Sequence, residues 1–374
     1  MKTRAAVLYE MGMTRPYAQS KPLRIEEVEL DPPGRNEVLI QIKAVGLCHS
    51  DLSVINGSRP RVLPMALGHE AAGIVAALGE GVDDLQIGDH IVCAFVPSCG
   101  HCAPCQEGRP ALCETGAEAN TAGTLLSGER RLHHCGQDIN HHLGVSGFAD
   151  YAVVDRRSLV KVDPTLPFDD VAVFGCAVMT GVGAVVNTAH IEPGTTVAII
   201  GLGGVGLSAL LGARVAGAAR IIAVDIQPDK LELAKKMGAT DIFDSREKDV
   251  IEHIRSATHG GVDYAFETAG AVSALDVAYR ITRRGGTTVT SGLPHPTQQL
   301  SLSPVTLTAE ERTLKGSYIG SCIPARDIPR YISLYNQGLL PVQQLLTDRI
   351  SLEQINEGFD RLDRGEAARI VVIL

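Results

Sequence analysis

Hydrophobic residues follow two different patterns in the two parts of the chain. Up to about residue 175, short apolar runs such as EVLIQIKAVG, AAGIVAALGEGV and GDHIVCAF end at glycine or proline turn signals. Beyond that point, strand-like runs alternate with helical stretches, beginning with TTVAII, VGLSALLGARVAG and RIIAVDI. The first pattern predicts a mostly β domain, and the second predicts an α/β domain with a doubly wound parallel sheet.

This change of pattern also predicts the domain boundaries. Residues 178–321 are expected to form the α/β domain. Residues 1–177 and 322–374 are expected to form the β domain, because the chain ends in the strand-like run RIVVIL after a mixed segment. A chain of 374 residues is longer than one compact core usually accommodates, which also favours two domains.

Composition excludes several classes of partner. A net charge of -9 gives no general electrostatic reason to bind nucleic acid. The N-terminal MKTRAAVLYE does not resemble a secretory signal, and the apolar residues 197–213 are fewer than the roughly 20 that span a bilayer. We therefore expect a cytoplasmic protein that binds no membrane, whose nine cysteines are metal ligands or free thiols.

A glycine-rich turn follows the strand-like TVAII and precedes a helical pattern. Its GxGxxG motif consists of Gly201, Leu202, Gly203, Gly204, Val205 and Gly206. In this context the motif is typical of a dinucleotide site, where the pyrophosphate lies at a helix N-terminus. Asp225 ends the next strand-like run, where a carboxylate binds the adenosine ribose and favours NAD over NADP. Lys230 is either a second ribose contact or a solvated helix residue.

The spacing CxxCxxCx7C is formed by Cys99, Cys102, Cys105 and Cys113. Four thiolates on one loop with Gly and Pro between them can close a tetrahedral structural zinc site. An iron–sulfur cluster is the competing metal interpretation. Disulfides fit a reducing compartment less well.

Two further cysteines and a histidine stand in separate motifs. Cys48 lies in GLCHSD, His69 in GHEAAG and Cys176 in FGCAVMTG. Each alone is also typical of a packed core residue. Together they match a three-ligand zinc site with an open fourth position, which is the catalytic arrangement.

The motifs GLCHSD, GHE, the four-cysteine loop, GCAVMTG, GLGGVG and VDI occur in one order along the chain. In this order the sequence resembles the zinc-dependent medium-chain alcohol dehydrogenases over essentially its full length, especially the liver-type branch. The resemblance implies a GroES-like catalytic domain, a Rossmann NAD-binding domain and an active site between them. It also implies two zinc ions per chain and reversible hydride transfer between an alcohol and NAD, with an aldehyde as product.

The resemblance further implies roles around the catalytic zinc, whose ligands would be Cys48, His69 and Cys176. Asp51 would orient His69, and Glu70 would lie behind the zinc. The motif HE is not HExxH, since position 73 is Gly, so a protease is excluded.

Proton transfer and coenzyme binding would involve residues close to these ligands and further along the chain. Ser50 would take the proton of the alcohol. Ser53 stands where many liver-type members have a histidine, so the proton would leave through Ser53 or water. His49 and Arg369 would contact the pyrophosphate, and Thr180 would lie against the nicotinamide.

The substrate pocket implied by the family is lined by Phe95, His142, Leu143 and Leu293. Such a pocket favours apolar or aromatic primary alcohols. His142 replaces an aromatic residue, and the alternative is a solvent-facing loop histidine. We expect the remaining Cys93, Cys135 and Cys322 to pack as small apolar side chains.

Three other functions fit parts of the pattern. A thiol-dependent formaldehyde dehydrogenase would need a cation for the carboxylate of its adduct, for which Arg59 or Arg61 is available. A zinc-ribbon interaction protein would use only the cysteine loop, and a zinc-free reductase would have no use for Cys48. The segment TLLSGERRLHHCGQDINHHLGVSGF, between Cys113 and Cys176, resembles the longer loop of dimeric members, which favours a homodimer over a tetramer.

Overall fold

The structure is a computed structural model that describes residues 1–95 and 97–374. The chain divides into two units. The first comprises Met1–Cys176, Ile323–Arg330 and Leu346–Leu374, and the second comprises Ala177–Cys322 and Tyr331–Leu345.

The assignment of all of residues 322–374 to the first domain is therefore corrected, since Tyr331–Leu345 groups with the second unit. The physical reason lies in the contacts of Tyr331. Its side chain is buried, and its hydroxyl accepts a hydrogen bond of 3.3 Å from Asn187 Nδ2 within the second unit. The pattern of the sequence does not reveal this long-range contact.

The strands are, in chain order, β1 (Lys2–Leu8), β2 (Leu23–Leu30), β3 (Glu37–Gly46), β4 (Met65–Ala66), β5 (Glu70–Leu78), β6 (His90–Cys93), β7 (Leu132–His134), β8 (Gln137–His141), β9 (Tyr151–Asp155), β10 (Leu159–Lys161), β11 (Thr196–Ile200), β12 (Arg220–Asp225), β13 (Asp241–Asp244), β14 (Val262–Glu267), β15 (Thr282–Thr290), β16 (Thr313–Gly316), β17 (Asp348–Ile350) and β18 (Ile370–Ile373).

The α-helices are α1 (Tyr17–Ser20), α2 (His49–Ile55), α3 (Ala103–Gln106), α4 (Glu114–Ala122), α5 (Phe168–Ala172), α6 (Ala177–Gly183), α7 (Gly204–Val215), α8 (Pro228–Lys236), α9 (Val250–Ala257), α10 (Val272–Ile281), α11 (Pro304–Ala309), α12 (Pro324–Asn336) and α13 (Ile355–Asp363). A π-helical turn spans Ala184–Ala189. Short 3₁₀ turns lie at Pro110–Leu112, Arg156–Ser158, Val173–Gly175, Ile319–Ser321, Val342–Leu345 and Leu352–Gln354.

The first unit is built from a closed barrel and a second, larger sheet. The barrel follows the order β1-β2-β7-β8-β4, and the sheet follows β10-β6-β5-β3-β18-β17, with β9 also paired to β3. The C-terminal β18 pairs antiparallel with the end of β3, as in the register Val372 with Val45. Apolar side chains of both sheets and of α13 form the main core, in which the rings of Phe148 and Phe359 are 5.9 Å apart.

The second unit contains one parallel sheet of six strands in the order β13-β12-β11-β14-β15-β16. This is the doubly wound order in which the first strand is central and its carboxyl end faces the nucleotide crevice. The central strand β11 is almost entirely buried, which explains its unbroken apolar sequence TVAII. The fold is the expected α/β class, with a mostly β unit and a Rossmann-type unit.

Within the part of the chain that the structure describes, no helix taken singly has the length and apolar composition required to span a membrane. The successive segments Phe168–Gly175 and Ala177–Ala189 meet that test only when they are joined across a bend.

Candidate functional site

Cys48, His69 and Cys176, which are far apart in the sequence, lie together in the first unit. The two sulfur atoms are 3.9 Å apart. One ligand atom each from Cys48, His69, Glu70 and Cys176 lies within 4.8 Å of all the others, and all four side chains are buried. Cys48 caps α2 after β3, His69 immediately precedes β5, and Cys176 follows the turn Val173–Gly175.

Two glycines allow these segments to approach one another closely. A Cβ on Gly46, at the end of β3, would lie 2.8 Å from Cδ of Glu70. A Cβ on Gly175 would lie 2.1 Å from the carbonyl oxygen of Cys93. A larger residue at position 175 would require the backbone to move, and one at position 46 would displace the buried side chain of Glu70.

The orientation of His69 leaves one ring nitrogen for a metal ion. Its Nδ1 lies 3.3 Å from Oδ1 and 3.1 Å from Oδ2 of Asp51, and Asp51 Oδ1 also accepts a hydrogen bond from Gly68 N. Among the described residues, the buried Nε2 of His69 has no hydrogen-bond partner. Two thiols and an imidazole nitrogen are the donors that Zn²⁺ prefers, so these residues fit a zinc ion.

The electrostatics favour the charged forms of two groups in this cluster. A hydrogen bond from Cys176, together with the nearby His69, lowers the pKa of Cys48 well below its ordinary value although burial opposes this. Burial also opposes ionisation of Asp51, but His69 and His142 lower the pKa of that carboxyl below its ordinary value. A thiolate and a carboxylate are the forms that bind a metal ion and orient its histidine ligand.

Glu70 and Arg369 form a buried pair behind the two cysteines. Arg369 Nη1 lies 3.1 Å from Glu70 Oε2 and donates a hydrogen bond of 2.7 Å to the carbonyl oxygen of Leu47. The contact with Glu70 has an ion-pair distance but not hydrogen-bond geometry. Burial raises the pKa of Glu70 to about 8, although Arg369 acts in the opposite direction. The pyrophosphate contact expected of Arg369 stays a prediction, since its guanidinium is already engaged by these groups.

Two of the expected pocket residues lie against the histidine ligand. The ring of Phe95 is 5.0 Å from that of His69, and the ring of His142 is 5.6 Å from it on an edge-to-face approach. His142 is only 1% exposed, so the interpretation as a solvent-facing loop histidine is wrong. Leu143 is buried, whereas Leu293 belongs to the second unit and is 51% exposed. The role of Leu293 in a pocket stays a prediction.

The contact between His142 and Asp51 was missed by the sequence reasoning. His142 Nδ1 lies 3.0 Å from Asp51 Oδ1, and Asp51, His69 and His142 form a buried cluster of possible metal-binding atoms. A resemblance that assigns position 142 to a substrate pocket gives no reason to expect a carboxylate there. The polar residue in an otherwise aromatic position was the signal available in the sequence.

The residues expected to move a proton lie on α2. Ser50 is half-buried, and His49 is exposed at the first position of the helix. Ser53 Oγ donates a hydrogen bond of 2.8 Å to the carbonyl oxygen of His49. The proton of the Ser53 hydroxyl is therefore held by the helix backbone, and its part in a proton exit stays a prediction.

The four cysteines of the loop also converge. Their sulfur atoms lie within 4.8 Å of one another. Cys113 Sγ accepts hydrogen bonds from the backbone N–H groups of Cys99 and Gly116. Burial opposes ionisation of Cys99, but the N–H groups of His101 and Cys102 lower the pKa of that thiol to about 5. Backbone donors aimed at sulfur stabilise the thiolate of Cys99. Burial raises the pKa of Cys105 and of Cys113, so a four-thiolate site at these residues requires the metal ion itself to displace their protons.

The glycine-rich turn of the second unit has the geometry of a nucleotide site. Gly201 has a φ of +91°, and a Cβ on Gly206 would lie 1.8 Å from the carbonyl oxygen of Gly201. Helix α7 begins at Gly204, so its first N–H groups follow the turn directly. At Gly203 no described atom lies within 4 Å of an added Cβ. The backbone at Gly203 is therefore open to a ligand.

Asp225 has a structural role that the sequence did not reveal. Its Oδ2 accepts a hydrogen bond of 2.6 Å from Leu202 N in the turn, and its Oδ1 accepts one of 2.9 Å from Gln227 N. Of the other expected coenzyme contacts, Lys230 is half-exposed on α8 and Thr180 is buried in α6. Their contacts with a coenzyme stay predictions.

The prediction for the remaining cysteines is wrong for one of them. Cys93 and Cys322 are fully buried, but Cys135 is exposed. Cys135 and Gly136 form the tip of the hairpin between β7 and β8, with φ values of 50° and 78°. Positive φ at both central residues is the geometry of a tight hairpin turn, which keeps Cys135 out of the core.

A parallel nucleotide-binding sheet and a buried site with two cysteines and a histidine define a zinc-dependent dehydrogenase. Comparisons with known proteins agree. The model of the alcohol dehydrogenase GroES-like domain matches residues 34–164, and that of the zinc-binding dehydrogenase matches residues 204–337. The chain is 40% identical over 358 residues to alcohol dehydrogenase class-3 of Drosophila melanogaster, which covers 94% of each chain.

Solved structures give the same result. Benzyl alcohol dehydrogenase from Acinetobacter calcoaceticus has a TM-score of 0.93 and 33% identity, covering 100% of this chain and 99% of the other. A zinc-binding dehydrogenase from Sinorhizobium meliloti bound to NADP has a TM-score of 0.83 and 27% identity, with both chains fully covered. This chain belongs to the zinc-dependent medium-chain alcohol dehydrogenase family. It is an oxidoreductase that acts on alcohols.

Proposed function

We propose that the protein catalyses reversible oxidation of primary apolar or aromatic alcohols to aldehydes, with NAD as the coenzyme and two zinc ions per chain. The observation that carries this proposal is the convergence of Cys48, His69 and Cys176 around a buried imidazole nitrogen that has no partner among the described residues. The four-cysteine loop supplies the second, structural set of ligands.

Cys48, His69 and Cys176 would hold the catalytic zinc, which would supply a Lewis acid for the oxygen of the alcohol. Asp51 accepts from Nδ1 of His69 and thereby keeps the other ring nitrogen available to the metal. The lowered pKa of Cys48 keeps that sulfur in the ligating form.

The glycine turn and α7 would bind the pyrophosphate of the coenzyme. The coenzyme would be the acceptor of the hydride. The carboxylate of Asp225 supports NAD, because it would repel the 2′-phosphate of NADP. The resemblance to an NADP-bound dehydrogenase makes a direct comparison of the two coenzymes necessary. His49, Thr180, Lys230 and Arg369 are the proposed additional contacts.

The proton of the alcohol would pass to the half-buried hydroxyl of Ser50. The hydroxyl of Ser53 donates a hydrogen bond to the carbonyl oxygen of His49, and its Oγ can still accept another. We propose that water hydrogen-bonded to Ser53 carries the proton onward.

An aromatic or apolar alcohol is supported by the rings beside the metal ligands. Phe95 and His142 both lie within 6 Å of the His69 ring, measured between centroids. The likeness to a benzyl alcohol dehydrogenase favours the same substrate class. A panel of primary, secondary and aromatic alcohols, followed by NADH absorbance, tests this. A higher kcat/KM for a secondary alcohol than for benzyl alcohol would refute the assignment.

The metal assignment is tested by counting zinc. Wild-type protein is expected to contain two zinc ions per chain, and Cys48→Ser is expected to contain one and to lose nearly all turnover. Cys93→Ser is the matched control, since Cys93 is also buried but is not in either ligand set. Full turnover of Cys48→Ser would refute the proposed function, and a zinc-free reductase would then be favoured.

The second candidate is a thiol-dependent formaldehyde dehydrogenase. Arg61 is half-buried in the first unit, and within the described ranges its Nε has no hydrogen-bond partner. Such a cation could bind the carboxylate of a thiol adduct. Oxidation of formaldehyde that requires glutathione, and that Arg61→Ala weakens, would favour this candidate.

We also propose a homodimer formed through the edge of the parallel sheet. The edge strand β16 pairs with β15 alone among the described strands, and its Leu314 is exposed, as are Val305 and Leu307 on α11. An unpaired apolar edge is a template for a second copy of the same strand. Sedimentation should show a dimer for the wild type and a monomer for Leu314→Lys. A tetramer would contradict the proposal.

We further propose a cytoplasmic location, because both thiolate sets must stay reduced to bind zinc.

A further inference from the structure

His142 is fixed in the first unit by its own backbone. Its N–H donates to Ser146 Oγ at 3.2 Å, and its carbonyl oxygen accepts from the N–H groups of Val145 and Ser146. The side chain is 2% exposed. A buried polar ring held this firmly would usually have a hydrogen-bond partner.

The group that faces this ring is Asp51, which already serves a metal ligand. Asp51 Oδ1 accepts from Gly68 N at 3.0 Å and from His69 Nδ1 at 3.3 Å, and His142 Nδ1 lies 3.0 Å from the same oxygen. Three nitrogen atoms therefore lie within 3.3 Å of one oxygen, and His69 Nδ1 is also 3.1 Å from the other oxygen, Oδ2. The other oxygen, Oδ2, and His142 Nδ1 both lack a hydrogen bond of good geometry within the described part of the chain.

Leaving two buried polar atoms unsatisfied side by side is costly. The terminal torsion of an aspartate is soft, so the carboxylate can turn to give one oxygen to each histidine. His142 Nδ1–H would then hold one oxygen while His69 Nδ1–H holds the other.

We propose that His142 is a positioning residue that orients Asp51, and through it the zinc ligand His69. This inference rests on the proposed function, because it requires a metal ion at His69. His142 thereby has a role distinct from lining a substrate pocket, and the role requires a donor at the position of Nδ1. A mere space-filling role would require only the shape of the ring.

The test compares His142→Phe, which keeps the ring but removes the donor, with His142→Asn, whose amide nitrogen lies close to the position of Nδ1. The readout is the rate at which zinc is released to the chelator 4-(2-pyridylazo)resorcinol. The zinc ion of interest is the one that is missing from Cys48→Ser. Loss of an indirect ligand contact of this kind typically weakens metal binding about 10- to 100-fold.

We expect zinc release from His142→Phe to be faster by about 10- to 100-fold, and release from His142→Asn to stay within a few-fold of the wild type. His133→Phe is the matched control, because His133 also faces carboxylates in the first unit but is not in the ligand sets. The control should release zinc at the wild-type rate. Circular dichroism of each zinc-loaded variant checks that it is folded.

Two results would overturn the inference. Wild-type zinc retention in His142→Phe would show that the donor is not needed, and equal acceleration in both variants would show a packing role. If Cys48→Ser itself keeps two zinc ions, the proposed function fails instead, so the two failures are distinguishable.

Discussion

Replacing Asp225 by asparagine tests two roles of this carboxylate in the second unit, which are support of the glycine turn and the proposed selection of NAD over NADP. Its Oδ2 accepts from Leu202 N at 2.6 Å and its Oδ1 accepts from Gln227 N at 2.9 Å. Asparagine has one acceptor oxygen in place of two. Because Leu202 is fully buried and Gln227 is half-exposed, we expect the amide oxygen to bind Leu202 N and the contact with Gln227 to be lost.

The expected magnitudes follow from these contacts. A charge-assisted bond becomes a neutral one and a second bond is lost, which should lower the free energy of unfolding by about 1–2 kcal/mol. For a domain of this size, that corresponds to a fall in Tm of about 2–8 °C. Removal of a unit charge about 4 Å from a 2′-phosphate relieves a repulsion of about 1–4 kcal/mol. The ratio of kcat/KM for NADP to that for NAD should therefore rise by about fivefold or more.

Thermal unfolding of the apoprotein and steady-state kinetics with both coenzymes measure the two effects separately. Asp249→Asn is the control, since it removes the same charge from an exposed position before a helix, where the side chain makes no capping hydrogen bond. An unchanged Tm would refute the bracing of the turn by Asp225. An unchanged coenzyme ratio would refute selection of NAD by its charge.

Further predictions concern the cysteine loop, the glycine turn and the barrel. Cys105→Ser should lower the zinc content by one ion per chain and lower Tm, while the KM for the alcohol stays unchanged; two zinc ions in this variant would contradict a four-thiolate site. Gly206→Ala should weaken both folding and coenzyme binding, because the new Cβ would lie 1.8 Å from the carbonyl oxygen of Gly201. Gly203→Ala should weaken coenzyme binding alone, because no described atom lies within 4 Å of its new Cβ. Equal Tm values for the two variants would contradict this. Burial opposes the charge on His133, but two aspartates raise its pKa above the ordinary value. The stabilisation by His133 is therefore complete below about pH 6 and is lost as the pH rises through the folded-state pKa, so His133→Gln should lower Tm at about pH 5 by more than at about pH 8. An equal effect at both pH values would contradict the ion pairs.

The features that the sequence predicted well are those encoded in short segments. The parallel sheet follows from apolar runs whose period changes at about residue 178, and the GxGxxG turn requires a glycine at position 206 because of its close contact with Gly201 in the same turn. The two sets of possible metal ligands could be predicted because cysteine and histidine are residue types that bind metal ions, and because their motifs are typical of zinc sites. The convergence of Cys48 and Cys176 required the family resemblance, since no local pattern links them.

The features that the sequence did not reveal depend on contacts between distant segments. Tyr331 belongs with the second unit because of Asn187, and no periodicity in α12 indicates that partner. The alternative interpretation of His142 as an exposed loop residue is wrong, because the fold buries this side chain against Asp51. Cysteine is a residue type that is typical of the core, but Cys135 lies at the tip of a hairpin. Its position in the backbone therefore leaves it exposed.

The two ligand sets differ in how much chain they enclose. Cys99 and Cys113 are 14 residues apart, whereas Cys48 and Cys176 are 128 residues apart. Closing the longer loop costs about 2 kcal/mol more in chain entropy, so an ion bound there acts as a cross-link between distant parts of the first unit. The cysteine loop is also complete once residue 113 has been synthesised, while the Glu70–Arg369 pair needs nearly the whole chain. If both ligand sets bind zinc as proposed, the site of the cysteine loop can therefore form earlier in biosynthesis than the site at Cys48, His69 and Cys176.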